Sequence, residues 1–177
     1  SADAAIGSRS YSVEFGRYAP ASTEAEYAIV KPGSYEPGYA YPLVVWLHGG
    51  SERLEDQLRN VMPSISLRNY VSVAPRAVRL QGPKINAPAL SERYGWPQSL
   101  DGIADSQARV VEAIDAARRQ YHVAQNRIFL IGTGAGGSMA LRLALHCPSA
   151  FAGAASLGGP LSRRHRPLQN LARVRST

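Results

Sequence analysis

Five residues, Gly132-Thr133-Gly134-Ala135-Gly136, separate an apolar run, Arg127-Ile128-Phe129-Leu130-Ile131, from a helical one, Ser138 to Leu145. A tight turn between a strand and a helix can lift its central residue above the sheet, at the N-terminus of the helix. A serine there could attack a carbonyl, given a base to take its proton and an acid to orient the base. The central residue here is Gly134, which has no side chain and can attack nothing. The same glycines, Gly132, Gly134 and Gly137, also satisfy G-x-G-x-x-G, a spacing that can bring backbone amides to a phosphate. That reading is weak. The pattern falls after at least two earlier strands, and no acidic residue follows to hold a ribose. A more modest version has the helix N-terminus holding an anion or carboxylate beside the bare glycine.

The other reactive residue types are sparse around this turn. Asp115 is the last acidic residue of the 177. Residues 1–115 hold 11 basic and 13 acidic side chains, and residues 116–177 hold nine arginines and no acid, which gives the net charge of +7. The histidines beyond the turn are His146, at a helix end beside Cys147, and His165, among arginines. Ser138 lies one turn into the helix and Thr133 precedes the turn's centre. Both read as packing or surface residues rather than nucleophiles. Ser51 and Ser156 lie at strand ends on the same edge, with no visible base. Cys147 is the single cysteine, so no internal disulfide forms, and it reads as a small packed residue. The four histidines and one cysteine show no metal-ligand spacing, so neither a metal nor another cofactor is expected.

The elements that must position these residues alternate. Glu26 to Lys31 reads as a half-exposed strand, and Pro32 to Pro42 as a connecting loop. Leu43-Val44-Val45-Trp46-Leu47 and Tyr70-Val71-Ser72-Val73-Ala74 are continuously apolar or small, as strands buried on both faces are. Between them, Glu52 to Ile65 reads as a helix interrupted by Pro63. Residues 75–99, with four prolines, read as a long surface excursion. Ile103, Val110, Val111, Ile114, Ala117 and Tyr121 mark a helix from Asp101 to Tyr121, its acids early and its arginines late, in accord with the helix dipole. A strand over 127–131, a helix over 136–147 closed by Pro148, and a strand within Phe151 to Leu157 complete the series. The expected fold is α/β, doubly wound, with a mostly parallel sheet and helices on both faces. Three regions are expected: a loose lead-in over 1–24, a folded domain over 25–160 and a basic tail over 161–177.

Composition closes off some functions. The longest apolar runs are far too short to span a membrane. The first residues do not form a basic segment followed by an apolar one, so a cytoplasmic protein is expected. Arg163, Arg164, Arg166, Arg173 and Arg175 could meet RNA, acidic protein or anionic lipid, but they read first as a solvated basic end. The absence of interleaved aromatics argues against nucleic acid.

Several pieces in order resemble the phospholipase/carboxylesterase branch of the α/β-hydrolases. They are Pro42 to Gly50 (PLVVWLHGG), Val73-Ala74-Pro75-Arg76, the turn with Gly136-Gly137 after it, Phe151-Ala152-Gly153 and Ser156-Leu157-Gly158-Gly159. The resemblance covers about residues 25–165 and implies an α/β-hydrolase fold in which residues 132–136 form the nucleophile elbow, with Gly134 at the serine position. It also implies an oxyanion hole, for which Gly49, Gly50, Ser51 and Ala135 are the candidates, since preset backbone N–H groups stabilise a developing oxyanion. His48, Trp96 and Ser156 are candidate pocket residues. Trp96 and its neighbour Tyr94 read first as residues that pin their loop to the core, and second as walls of that pocket. Family members place an acid and then a histidine after the elbow, and neither position is matched here. The resemblance therefore implies an incomplete domain, ending after the strand that follows the elbow helix. Three functions follow as expectations: a catalytically degenerate hydrolase that binds or scaffolds, an active carboxylic ester hydrolase whose other catalytic residues lie outside this chain, or anion or nucleotide binding at the glycine turn. The expected partners are a small carboxylic ester or anion in a residual pocket and a protein that completes the sheet edge at 151–157.

Overall fold

The computed structural model describes residues 13–16, 26–49, 58, 61, 69–80 and 94–161. Six strands form one sheet: β1 (Val13–Gly16), β2 (Tyr27–Val30), β3 (Tyr41–Leu47), β4 (Val71–Pro75), β7 (Val123–Thr133) and β8 (Gly153–Leu157). Their order is β1-β2-β4-β3-β7-β8. The four from β4 to β8 are parallel, and β1 and β2 add antiparallel at one edge. The expected doubly wound, mostly parallel sheet is therefore present.

Every residue of β2, β3 and β4 is buried, which is why β3 and β4 read as unbroken apolar runs; β2, expected as a half-exposed strand, is buried on both faces because hydrophobic residues pack against each side of it. One face carries Ile29, Leu43, Val45, Leu47, Val71, Val73, Ile128 and Leu130. Against it pack α1 (Leu100–Gln120), through Val110, Ala113, Ile114 and Ala117, and α2 (Gly134–His146), through Met139, Ala140 and Leu143. Ser99 caps α1 by accepting the Gly102 N–H at 3.2 Å. Asp101 in the first turn and Arg118 and Arg119 in the last complement the helix dipole. On the opposite face Ala28, Val30, Trp46 and Ala74 cluster with Leu58, a residue in helical conformation.

Three expectations need correction. The stretch read as a loose lead-in contains β1, whose Val13-Glu14-Phe15-Gly16 pairs with Val30 to Tyr27. The strand expected over 127–131 spans 123–133, because Tyr41 pairs with Val123 beyond a register shift and recruits the polar Gln125 and Asn126. The 75–99 excursion has an ordered base, where β5 (Val78–Arg79) and β6 (Tyr94–Gly95) form a two-stranded sheet. Residues 81–93, most of the helix expected over 52–65, and the tail beyond Leu161 lie outside the described residues.

Candidate active site

Parallel strands end together, and ligands of open α/β sheets sit beyond those carboxyl ends. Here β3, β7 and β8 are neighbours, with Leu47 paired to Gly132 and Thr133 to Leu157. Their following segments therefore meet: His48-Gly49 after β3, Gly134 after β7 and Gly158-Gly159-Pro160 after β8.

Gly134 begins α2 with φ at +50°, a conformation that L side chains rarely adopt. It is the sharp strand-to-helix turn expected of an elbow. A Cβ placed on it would meet little, the nearest heavy atom being Gly49 Cα at 3.9 Å. The position has room for a side chain and carries none. The glycines around it are fixed by contact instead. A Cβ on Gly136 would run into the Leu47 and His48 carbonyl oxygens, and one on Gly137 into Ser156 Oγ. One on Gly132 would lie 2.6 Å from the Gly136 carbonyl carbon. These close approaches let the start of α2 lie directly on β3 and β8. Together with the positive φ of Gly134, the contacts of Gly132 and Gly137 give each glycine of the G-x-G-x-x-G spacing a structural reason.

The predicted oxyanion-hole residues divide. Gly49 is exposed and faces the elbow, and a Cβ on it would lie 2.8 Å from Thr133 Oγ1. Ala135 is exposed in the first turn of α2. Gly50 and Ser51 lie outside the described residues.

The predicted pocket residues are engaged in structure. His48 is only 2% exposed, and its Nε2 accepts the Ala77 N–H at 3.2 Å, which places its ring proton on Nδ1. Trp96 is buried too, and its Nε1–H donates to the His48 carbonyl at 2.7 Å with the two rings 5.5 Å apart. Together they pin both ends of the 75–99 excursion to the tip of β3. Tyr94 belongs to the same anchor, since Arg76 donates to its hydroxyl at 3.2 Å and lies over its ring. Ser156 is half-buried, and its Oγ both donates to the Gly159 carbonyl at 2.8 Å and accepts the Gly159 N–H at 3.2 Å.

A contact that sequence reasoning missed completes the arrangement. Ser138 Oγ donates to the Pro160 carbonyl at 2.6 Å, and a Cβ on Gly159 would run into the Gly134 carbonyl oxygen. The turn after β8 is thus clasped to the first turn of α2 by Ser138 and Ser156. Ser138 is a fastener here. Thr133 is the N-cap residue of α2 and makes no side-chain cap bond. Cys147 is half-buried at the helix end, within 3.9 Å of Gln107 Nε2. Among the described residues, no three His, Cys, Asp or Glu side chains are grouped to hold a metal ion.

Residues 36–176 match the family model for phospholipases and carboxylesterases. The chain belongs to that family. It is also similar in fold to solved structures of esterases and other serine hydrolases. One is a CE1 ferulic acid esterase from Anaeromyces mucronatus (14% identity, 86% of this chain and 65% of that one, TM-score 0.55). Another is FphF, a fluorophosphonate-binding serine hydrolase of Staphylococcus aureus (15% identity, 82% and 55%, TM-score 0.53). A third is the S-formylglutathione hydrolase of Staphylococcus aureus (14% identity, 81% and 54%, TM-score 0.53). This chain spans less than two thirds of the length of each. A comparison with curated proteins found no match.

Proposed function

We propose that residues 1–177 keep the carboxylesterase scaffold without its acyl-transfer chemistry and act by binding rather than by turnover. The observation that carries this reading is Gly134. It holds the elbow position at φ +50° with open space where a nucleophile would stand. The surrounding residues do not offer a substitute. Ser138 and Ser156 spend their hydroxyls on the turn after β8, and His48 is buried with Nε2 engaged. No carboxylate side chain occurs in residues 116–177 to orient a base. What the site retains is a set of backbone groups near Gly49 and Ala135, at the start of a helix, whose chemistry suits a small carboxylate or ester.

The test is hydrolysis of a short p-nitrophenyl ester by this chain and by Gly134→Ser. The proposal expects neither to exceed buffer, since the serine would have no base held by an acid. Saturable turnover by the unmodified chain would overturn it. Saturable turnover by the serine variant alone would show that the rest of the machinery is present and that one residue silences it.

A further inference from the structure

We propose that His48 is an acid-sensitive clasp: uptake of a proton at its Nε2 releases the base of the 75–99 excursion from the tip of β3, beside the elbow. This inference does not rest on the binding role proposed above.

One residue holds both ends of that base. The Ala77 N–H, just after β4, donates to His48 Nε2 at 3.2 Å. Trp96, just after β6, donates its Nε1–H to the His48 carbonyl at 2.7 Å, and its ring lies 5.5 Å from the imidazole between centroids. Between these two points β5 and β6 pair, Val78 with Gly95 and Arg79 with Tyr94. His48, Ala77 and Trp96 are all buried, so water does not stand ready to replace either bond.

The first bond exists in one charge state only. A neutral imidazole with its proton on Nδ1 accepts at Nε2, whereas an imidazolium carries N–H on both nitrogens and accepts nothing. A proton added to Nε2 would set two donors against each other and bury a charge. Among the described residues, the ionisable side chains on the segments around the clasp are Glu26 beside β4, Arg76, Arg79 and Tyr94 at the base, and Asp101 and Asp105 early in α1. The first turn of α2 has none. Arg76 adjoins Ala77, and a cation there opposes a second one.

Once released, His48 takes up its proton near the ordinary imidazole value of about 6.5, and while clasped it does not. The clasp is therefore at full strength above about pH 6.5 and weakens as the pH falls below it, by up to about tenfold per pH unit. Its release bears on the elbow. The next residue is Gly49, whose Cα is the nearest heavy atom to a Cβ placed on Gly134, and the His48 carbonyl oxygen is one of the two that a Cβ on Gly136 would strike.

Hydrogen exchange on the 177-residue chain at pH 7.5 and 5.5, each rate divided by that of an unstructured peptide at the same pH, tests this together with NMR of the His48 ring. The expected result is a neutral ring protonated on Nδ1 at pH 7.5, with the Ala77 amide and the Trp96 indole N–H about tenfold less protected at pH 5.5. In His48→Gln, whose side-chain oxygen can accept the Ala77 N–H but takes up no proton, protection should be the same at both pH values. In His122→Gln, which removes an exposed histidine, the tenfold change should remain. Equal protection of Ala77 at both pH values in the unmodified chain overturns the proposal, whether or not the variants fold. So does a His48 ring protonated on Nε2 at pH 7.5, or a tenfold change that persists in His48→Gln.

Discussion

Gly134 and Gly136 are two positions apart and are glycines for different reasons, which substitutions should separate. At Gly134 the constraint is the backbone, since a side chain has space but the φ of +50° costs any L-residue about 1–2 kcal/mol. At Gly136 the constraint is contact, because a Cβ would collide with the backbone carbonyls of Leu47, the last residue of β3, and of His48 after it, which no rotamer change can move. Gly134→Ala should therefore lower unfolding free energy by about 1–2 kcal/mol in a urea titration. Gly136→Ala should cost about 3 kcal/mol, the upper end of overpacking effects. Equal losses would mean that the elbow does not lie on β3 as described. His48 makes a similar point. Leaving the Ala77 N–H without its acceptor in His48→Phe should cost about 1–3 kcal/mol, read as a lower urea midpoint. A catalytic or ligand-facing histidine would instead leave stability almost unchanged.

Among the elements, the strands buried on both faces were legible because burial leaves no freedom in composition. β3 and β4 read as apolar runs and were found within two residues of their expected limits. β1 was not legible, since Val13-Glu14-Phe15-Gly16 owes its strand conformation to pairing with β2 rather than to its own sequence. The N-terminal half of β7 failed for the same reason, its Gln125 and Asn126 being carried along by an extended register. The elbow was readable because a glycine-rich turn between a strand and a helix is a local pattern. Trp96 was legible as a residue that pins its loop to the core; the roles of His48, Ser138 and Ser156 were not, because each depends on a backbone group from a distant or returning segment. The helix termini were legible, and Ser99 offers a direct test. Ser99→Ala removes the acceptor for the Gly102 N–H, and the expected loss is about 1 kcal/mol of stability by thermal or urea denaturation.

Across the whole molecule, charge and topology separate the scaffold from the chemistry. All 13 acidic residues fall within the first 115 positions, whereas the elbow, α2 and β8 come after them. A hydrolase of this fold draws its orienting acid from sequence after the elbow, and residues 116–177 contain none. Among the described residues no helix is long and apolar enough to cross a membrane. The chain also spans only 65%, 55% and 54% of the three solved structures it is similar to. The turn after β8 is clasped onto the first turn of α2 beside Gly134.

Intact-mass spectrometry after exposure to an alkyl fluorophosphonate tests the silence of the elbow most directly, because the reagent reports an activated serine without requiring turnover. The account predicts no adduct on the 177-residue chain at reagent concentrations that fully label an active serine hydrolase run alongside. A stoichiometric adduct on any serine would contradict it, and the modified residue would identify the nucleophile that has taken the place of Gly134.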